Sequence, residues 1–326
     1  QVVTLKPHAQ PELKASASYA NYDTITAMAY ASGGNDTVAA NLALYESYQG
    51  KGFGRNVFTG QELNYNREFA GRGQLSLKPA ERLSLLFSAD YDRQRNDLGT
   101  HRQTLEGTRT ILGGPRVGGP FDGNYNFGVF AKNEQWGLGA DANLDLGFAN
   151  LRSITAYRKY TWLNYYDQDV TPARIIDVVR DEKNKTFQQE FLLSGSTGPL
   201  KWTAGLFYFQ MKPSIQPIST EATGPSTTNV GRFVDLDLKS YAAYAQGTYA
   251  VTDALQLTAG IRYTEDKSTL NGTLLTLPGH PLGAGVTLAS VSDKKLNSDK
   301  ITWRLAADYQ VAPDLMVYAS ASRGFK

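Results

Sequence analysis

Cysteine is absent from the 326 residues. Disulfide and thiolate chemistry are therefore excluded, and cysteine usage leaves the redox compartment open. Histidine is scarce, with only His8, His101 and His280. No two of them have metal-ligand spacing, and no Ser/His/Asp arrangement can be drawn from so few. An excess of one charge is also missing: 33 basic against 31 acidic residues leave a net charge of +2. Such a balance gives no electrostatic footprint for nucleic acid or another polyanion. No run of 18 apolar residues occurs, which excludes a membrane-spanning helix but not a membrane-spanning β-barrel. The glycine-rich stretch GPRVGGPFDGNYNFG (114–128) does not lead from a strand into a helix, so it is not a phosphate loop. No catalytic centre, metal site or cofactor is expected.

Aromatic residues and alternation are plentiful: 19 Tyr, 14 Phe and 4 Trp occur beside a dominant period of two. In ALQLTAGIRYTED, Leu255, Leu257, Ala259, Ile261 and Tyr263 share one face, and Gln256, Thr258, Gly260 and Arg262 the other. ITWRLAADYQV repeats the pattern with Ile301, Trp303, Leu305, Ala307 and Tyr309. Side chains on a strand point alternately to two faces, so each segment has one apolar and one polar surface. About thirteen strands are predicted, over 11–20, 23–32, 37–50, 63–78, 81–95, 134–147, 149–166, 184–196, 199–213, 234–251, 254–268, 295–311 and 314–326.

The connections carry a second pattern. SGGND (32–36), KPAER (78–82), LGFAN (146–150), GSTGP (195–199), VTDA (251–254) and VAPD (311–314) are tight turns. Longer segments lie between them, at 51–62, 96–133, 167–183, 214–233 and 269–294. Only the turn at 21–23 is short on the long-loop side. This alternation places tight turns at one end of an up-and-down antiparallel sheet and long loops at the other, as in outer-membrane barrels. A β-sandwich would use Greek-key crossovers and shorter strands, and a propeller would show a recurring motif of about 40 residues. Tyr91, Trp162, Tyr165, Tyr166, Tyr208, Tyr249, Tyr263 and Tyr309 are expected in the aromatic girdles.

Several stretches resemble the barrel of TonB-dependent outer-membrane receptors. They are NVFTGQELNYNREFAGRGQLSLKPAERLSLLFSADY (56–91), LRSITAYRKY (151–160), QQEFLLSG with GPLKWTAGLFYF (188–209), LTAGIRYTEDKS (257–268) and VYASASRGFK (317–326). VVTLKP near the start resembles the link from plug to barrel. The resemblance implies a barrel of about 22 strands around an N-terminal plug. It also implies residence in the outer membrane of a Gram-negative bacterium and nutrient uptake powered by the TonB complex. A ferric siderophore is the expected substrate class; outer-membrane lipid, the plug and TonB are the expected partners. Residues 1–10 then correspond to the link and 11–326 to the first part of the barrel, with the plug and the C-terminal strands lacking. The alternatives are a passive porin-like barrel and a soluble β-sandwich binding module.

Candidate site residues fall into two sets. Arg72, Asp90, Asp141, Asp145, Glu190, Arg262, Arg304 and Asp308 lie on the polar faces of their strands, where a barrel places its lumen. His101, Arg102, Arg109, Arg116, Tyr125, Phe127, Tyr165, Tyr166 and Arg174 lie in or beside the long loops. There, cationic and aromatic side chains suit an anionic or aromatic chelate.

Overall fold

In the computed structural model, residues 5–97, 106–126, 128–223 and 225–324 are described. Thirteen long strands form one antiparallel sheet in which each strand pairs with its neighbours in sequence. They are β1 (Glu12–Ala20), β2 (Thr24–Gly34), β3 (Val38–Gln49), β6 (Asn66–Ala80), β7 (Leu83–Asn96), β8 (Phe130–Asp145), β9 (Asn150–Asp167), β10 (Asp177–Thr197), β11 (Leu200–Glu221), β12 (Val230–Ala250), β13 (Leu255–Thr276), β14 (Thr287–Ala312) and β15 (Leu315–Arg323). Two short strands, β4 (Gly54–Arg55) and β5 (Glu62–Leu63), form a separate ribbon inside the connection from β3 to β6. Among the described residues β1 and β15 do not pair, so the wall is an open, partial barrel.

The tight turns fall where their Gly, Pro, Asn and Asp residues put them. Two residues, Gly198 and Pro199, join β10 to β11, and Gly198 has φ 55°, a left-handed conformation open to glycine at no steric cost. Gly147 does the same at φ 87° between β8 and β9. Pro217, which has no N–H to give, lies at the irregularity between Ile215 and Ile218 where β11 slips register against β12.

Register sorts the side chains into two sheets of chemistry. Directly paired residues share a face, so the series Gly71–Tyr91–Trp136 and the series Leu257–Ala307–Ala319 run along one surface. On that surface Leu138, Leu206, Ile261 and Leu305 are each more than half exposed. Among the described residues the buried apolar cluster is only Leu63, Tyr125 and Val129, with Val170 packed against it, and it belongs to the loops. Among the described residues no second sheet covers the apolar face, which removes the sandwich reading. An apolar surface of that extent needs a lipid cover.

Aromatic rings bound this band. Phe69 lies 6.2 Å from Tyr91, Trp136 5.3 Å from Tyr157, Phe187 6.0 Å from Tyr208, and Tyr208 5.0 Å from Tyr241. Tyr249 and Tyr309 mark the opposite rim. On β12, residues 241 to 249 span nine positions from rim to rim, matching the ~9–11 that a tilted strand needs to cross a bilayer. Tyr165 and Tyr166 lie beyond the belt, and Trp162 is on the other face, paired with Glu182 and covered by the Arg180 guanidinium at 4.7 Å. Trp162 is therefore no girdle residue; its aromatic character concealed its parity with Arg158.

The strands run much further toward the long-loop end than their apolar pattern suggests. β10 starts at Asp177 rather than near residue 184, β11 continues to Glu221, β12 starts at Val230, β13 reaches Thr276 and β14 starts at Thr287. The segments predicted as loops at 167–183, 214–233 and 269–294 shrink accordingly. Above the girdle both faces meet water, so alternation fades: Glu265 and Lys267 pair at 2.9 Å just beyond Tyr263. Backbone pairing continues because it requires no apolar face.

Candidate functional site: a polar wall and a packed loop cluster

The polar face carries a ladder of ion pairs and hydrogen bonds. Asp90 on β7 receives two bonds from the Arg158 guanidinium on β9, at 2.9 and 3.0 Å, across the intervening β8. Gly137 makes the crossing possible, because a Cβ there would stand 3.0 Å from Arg158 Nη2 and 3.1 Å from Asp90 Oδ1. Asp141 accepts from Arg152 Nε at 2.9 Å. Further along the same face, the Tyr244 hydroxyl donates to Glu190 Oε1 at 2.6 Å. It reaches over Gly205, where a Cβ would lie 2.3 Å from the tyrosine ring. The Arg262 guanidinium lies 5.4 Å from the Tyr244 ring and 5.5 Å from the Phe207 ring.

Arg72, Asp90, Asp141, Glu190, Arg262, Arg304 and Asp308 thus occupy one face by register. Asp145 shares that face at the short-turn end, where its carboxylate accepts the Gly147 N–H at 2.7 Å. A groove of about 580 Å³ opens on the polar face beside Lys14, Tyr30, Tyr45, Arg72, Asp90 and Arg158. Two buried donors in it, Tyr30 Oη and Arg72 Nε, have no hydrogen-bond partner among the described residues. Leu5 to Gln10 lies against the same face: Asn41 Nδ2 donates to the Leu5 carbonyl at 3.1 Å, and the His8 N–H meets Ser32 Oγ at 3.3 Å.

At the long-loop end three connections pack into one cluster. Asn56, fully buried, donates from Nδ2 to the Tyr125 carbonyl at 2.8 Å and accepts the Phe58 N–H at 3.1 Å. Asp97 accepts the N–H groups of Asn64 and Tyr65 at 2.6 and 3.1 Å. Gln61 Nε2 donates to the Val129 carbonyl at 2.8 Å, and Asn126 N–H to the Thr171 carbonyl at 3.3 Å. These bonds join the β3–β6, β7–β8 and β9–β10 connections.

The loop candidates divide by exposure. Arg109 is exposed and donates to the Gly113 carbonyl at 2.8 Å. Arg116 is half-buried, with Nε unpartnered among the described residues. Tyr165 stacks on Phe130 at 4.5 Å, and Tyr166 is half-buried one position along. Arg174 bridges Asp177 and Glu221, each at 2.7 Å. Tyr125 is only 1% exposed, so it holds the loops together and presents no surface to a ligand. Burial, with the Asp97 and Asp167 charges, pushes its hydroxyl pKa up. His101, Arg102 and Phe127 lie outside the described residues.

A second group escaped the reading of the sequence. Asp167, Asp169 and Asp177 bring carboxylate oxygens within 4.8 Å of one another, all three buried. Burial, then the Asp169 charge, raises the Asp167 pKa to about 7. Burial also raises Asp177, against the pull of Arg174. The available signal was Asp-x-Asp at 167–169 in a long loop, but Asp177 becomes its neighbour only through the register of β9 and β10.

Residues 81–326 match the family model described as TonB dependent receptor-like, beta-barrel. The chain belongs to the TonB-dependent receptor β-barrel family. Among curated proteins it is 30% identical over 90 residues to the pesticin receptor of Yersinia pestis, covering 27% of this chain and 12% of that one. The crystal structure of the ferric yersiniabactin uptake receptor from Yersinia pestis superposes with TM-score 0.76 at 17% identity, covering 97% of this chain and 47% of that one. The ferric-catecholate import receptor of E. coli K12 in its open form gives TM-score 0.69 at 14% identity, covering 98% and 55%. At these identities the structural likeness establishes the fold. This TonB-dependent receptor chain spans about half the length of those solved receptors, and a smaller part of the curated relative.

Proposed function

We propose that this chain is the first part of the barrel wall of an outer-membrane receptor of a Gram-negative bacterium. That receptor takes up a scarce nutrient, with a ferric siderophore as the substrate class. Residues 11–326 form wall, and 1–10 lead from an N-terminal plug into it. The reading is carried by the polar face: a charged, hydrogen-bonding wall with two unpartnered buried donors, backed by an apolar face that only lipid would cover. Its family and the ferric-chelate receptors it resembles support uptake over a passive pore. The Leu5–Gln10 segment on the polar face supports its role as the link, because a plug inside a barrel must connect from the interior side. Tyr30 and Arg72 would then meet acceptors on the plug or on the passing chelate, and TonB would pull the plug from the periplasm. Arg109, Arg116, Arg174, Tyr165 and Tyr166, at the mouth, are the residues to meet an anionic chelate first.

Growth under iron limitation tests this. Deletion of the complete gene is expected to abolish growth on at least one ferric siderophore supplied as sole iron source, with TonB needed for rescue by the intact gene. Unimpaired growth and unchanged iron accumulation on every siderophore supplied would overturn it, as would TonB-independent flux through the purified protein in vesicles.

A further inference from the structure

We propose that Asp167, Asp169 and Asp177 hold a hard divalent cation, of the calcium type, that clamps the loop cluster at the mouth of the barrel. Asp167 and Asp177 are direct partners across β9 and β10, so two carboxylates face each other where opposite charges would be favoured. Both are only 1% exposed. Protein donors occupy half of each group. Asp167 Oδ1 accepts the Val170 N–H at 2.6 Å, and Asp177 Oδ2 accepts from Arg174 Nε at 2.7 Å. The other oxygens, Asp167 Oδ2 and Asp177 Oδ1, are buried without a hydrogen-bond partner among the described residues. A separate group completes the picture. The half-buried Asn126 side chain comes within reach of Asp177, and its own Oδ1 is a buried acceptor with no partner among the described residues.

Buried acceptors left unmade are costly, and a native fold keeps few of them. These three are all oxygens; the sequence has no Cys, and among the described residues no His joins the group. This donor set suits calcium, which takes oxygen ligands from carboxylates, side-chain amides and backbone carbonyls at ~2.3–2.6 Å. Arg174 supplies one positive charge against the three carboxylates, so a net negative pocket remains for a cation. Asp169 is already fixed, Oδ1 by the Thr171 N–H and hydroxyl and Oδ2 by the N–H groups of Ile175 and Ile176, so it pre-forms the turn and contributes charge while Asp167 and Asp177 supply the open oxygens. Asn126 arrives from the β7–β8 connection, and the carboxylates from the end of β9, the β9–β10 connection and the start of β10. A bound cation therefore ties two loops to the wall.

The test uses the full-length receptor purified in detergent and stripped with chelator. Calcium chloride is titrated by calorimetry at pH 7.5, with magnesium chloride in parallel. The expected result is saturable calcium binding with a dissociation constant on the order of 10⁻⁴ M or tighter. Calcium should also raise the thermal midpoint by about 3 °C or more. In Asp167→Asn with Asp177→Asn the calcium heat and the shift should vanish, while the stripped double variant should be at least as stable as the stripped parent. The last comparison separates loss of a ligand from loss of fold. Absence of calcium binding by the parent, or binding undiminished in the double variant, would overturn the proposal. So would a stripped parent that gains nothing from calcium, since a proton shared between Asp167 and Asp177 would then account for the pair. Growth on siderophores is a separate readout, so failure here leaves the uptake reading standing.

Discussion

Gly137 and Gly205 act by leaving room. Each lies between two polar residues that meet across its strand, and the tolerances differ. At Gly137 the atoms that a Cβ meets are the ends of flexible side chains at 3.0 to 3.1 Å, whereas at Gly205 it meets a tyrosine ring at 2.3 Å. Gly137→Ala should therefore be mild, below ~1 kcal/mol, and Gly205→Ala should cost about 1–3 kcal/mol as the Tyr244 ring is displaced from Glu190. The midpoint of heat-dependent gel migration of the full receptor in detergent measures both, and equal shifts would refute the ranking. Asn56 makes a different residue-scale prediction. Its buried amide serves two strands of the loop cluster at once, so Asn56→Ala leaves backbone groups without partners at a cost of about 1–3 kcal/mol. The penalty should fall on the loops alone. Limited proteolysis should cut between residues 106 and 126 faster than in the parent, with the barrel's thermal midpoint unchanged.

At the scale of the element, each strand's two faces answer to different solvents. Leu206 is on the apolar face of β11 within the band bounded by the aromatic rims, and it is 60% exposed. Leu206→Arg would put a charge against lipid and should cost about 2–4 kcal/mol, enough to reduce assembly into the outer membrane. Thr203, three positions away, faces the polar side beside Ser194 and Gln246. Thr203→Arg should assemble as the parent does, and quantitative membrane fractionation compares the two. That contrast also explains what the residues disclosed in advance. Within the band, lipid enforces a strict period of two, so all thirteen strands and the six tight turns could be placed from sequence. Above it nothing enforces the period, and the extended ends of β10 to β14 carry the polar, unpatterned composition of loops. Charges such as Asp90 and Glu190 could be put on the polar face by parity. Their partners Arg158 and Tyr244 could not, because they stand across an intervening strand whose register no local pattern encodes. The carboxylate trio was hidden for the same reason.

The whole molecule turns on its two edges. Among the described residues β1 pairs only with β2 and β15 only with β14, so each presents one unpaired row of N–H and C=O groups. Within a bilayer such a row has no water to bond, and each unmet group costs several kcal/mol. In water the same row recruits other chains, and here it borders an apolar face that spans the whole sheet. Closing the gap by pairing β1 with β15 would need another strand tilt and stagger, because curvature is linked to strand number. The ion-pair ladder resists that change. Asp90–Arg158 and Glu190–Tyr244 each bridge across an intermediate strand, and tighter curvature would alter every such span. Residues 5–324 refolded alone are therefore expected to stay heat-unmodifiable on gels and to aggregate at micromolar concentration. The complete receptor should migrate as a compact species until heated. If the isolated piece instead yields a monomer that is protease-resistant in vesicles, with amide protection as high on β1 and β15 as on β10 to β12, the edges have found each other and the wall is self-sufficient.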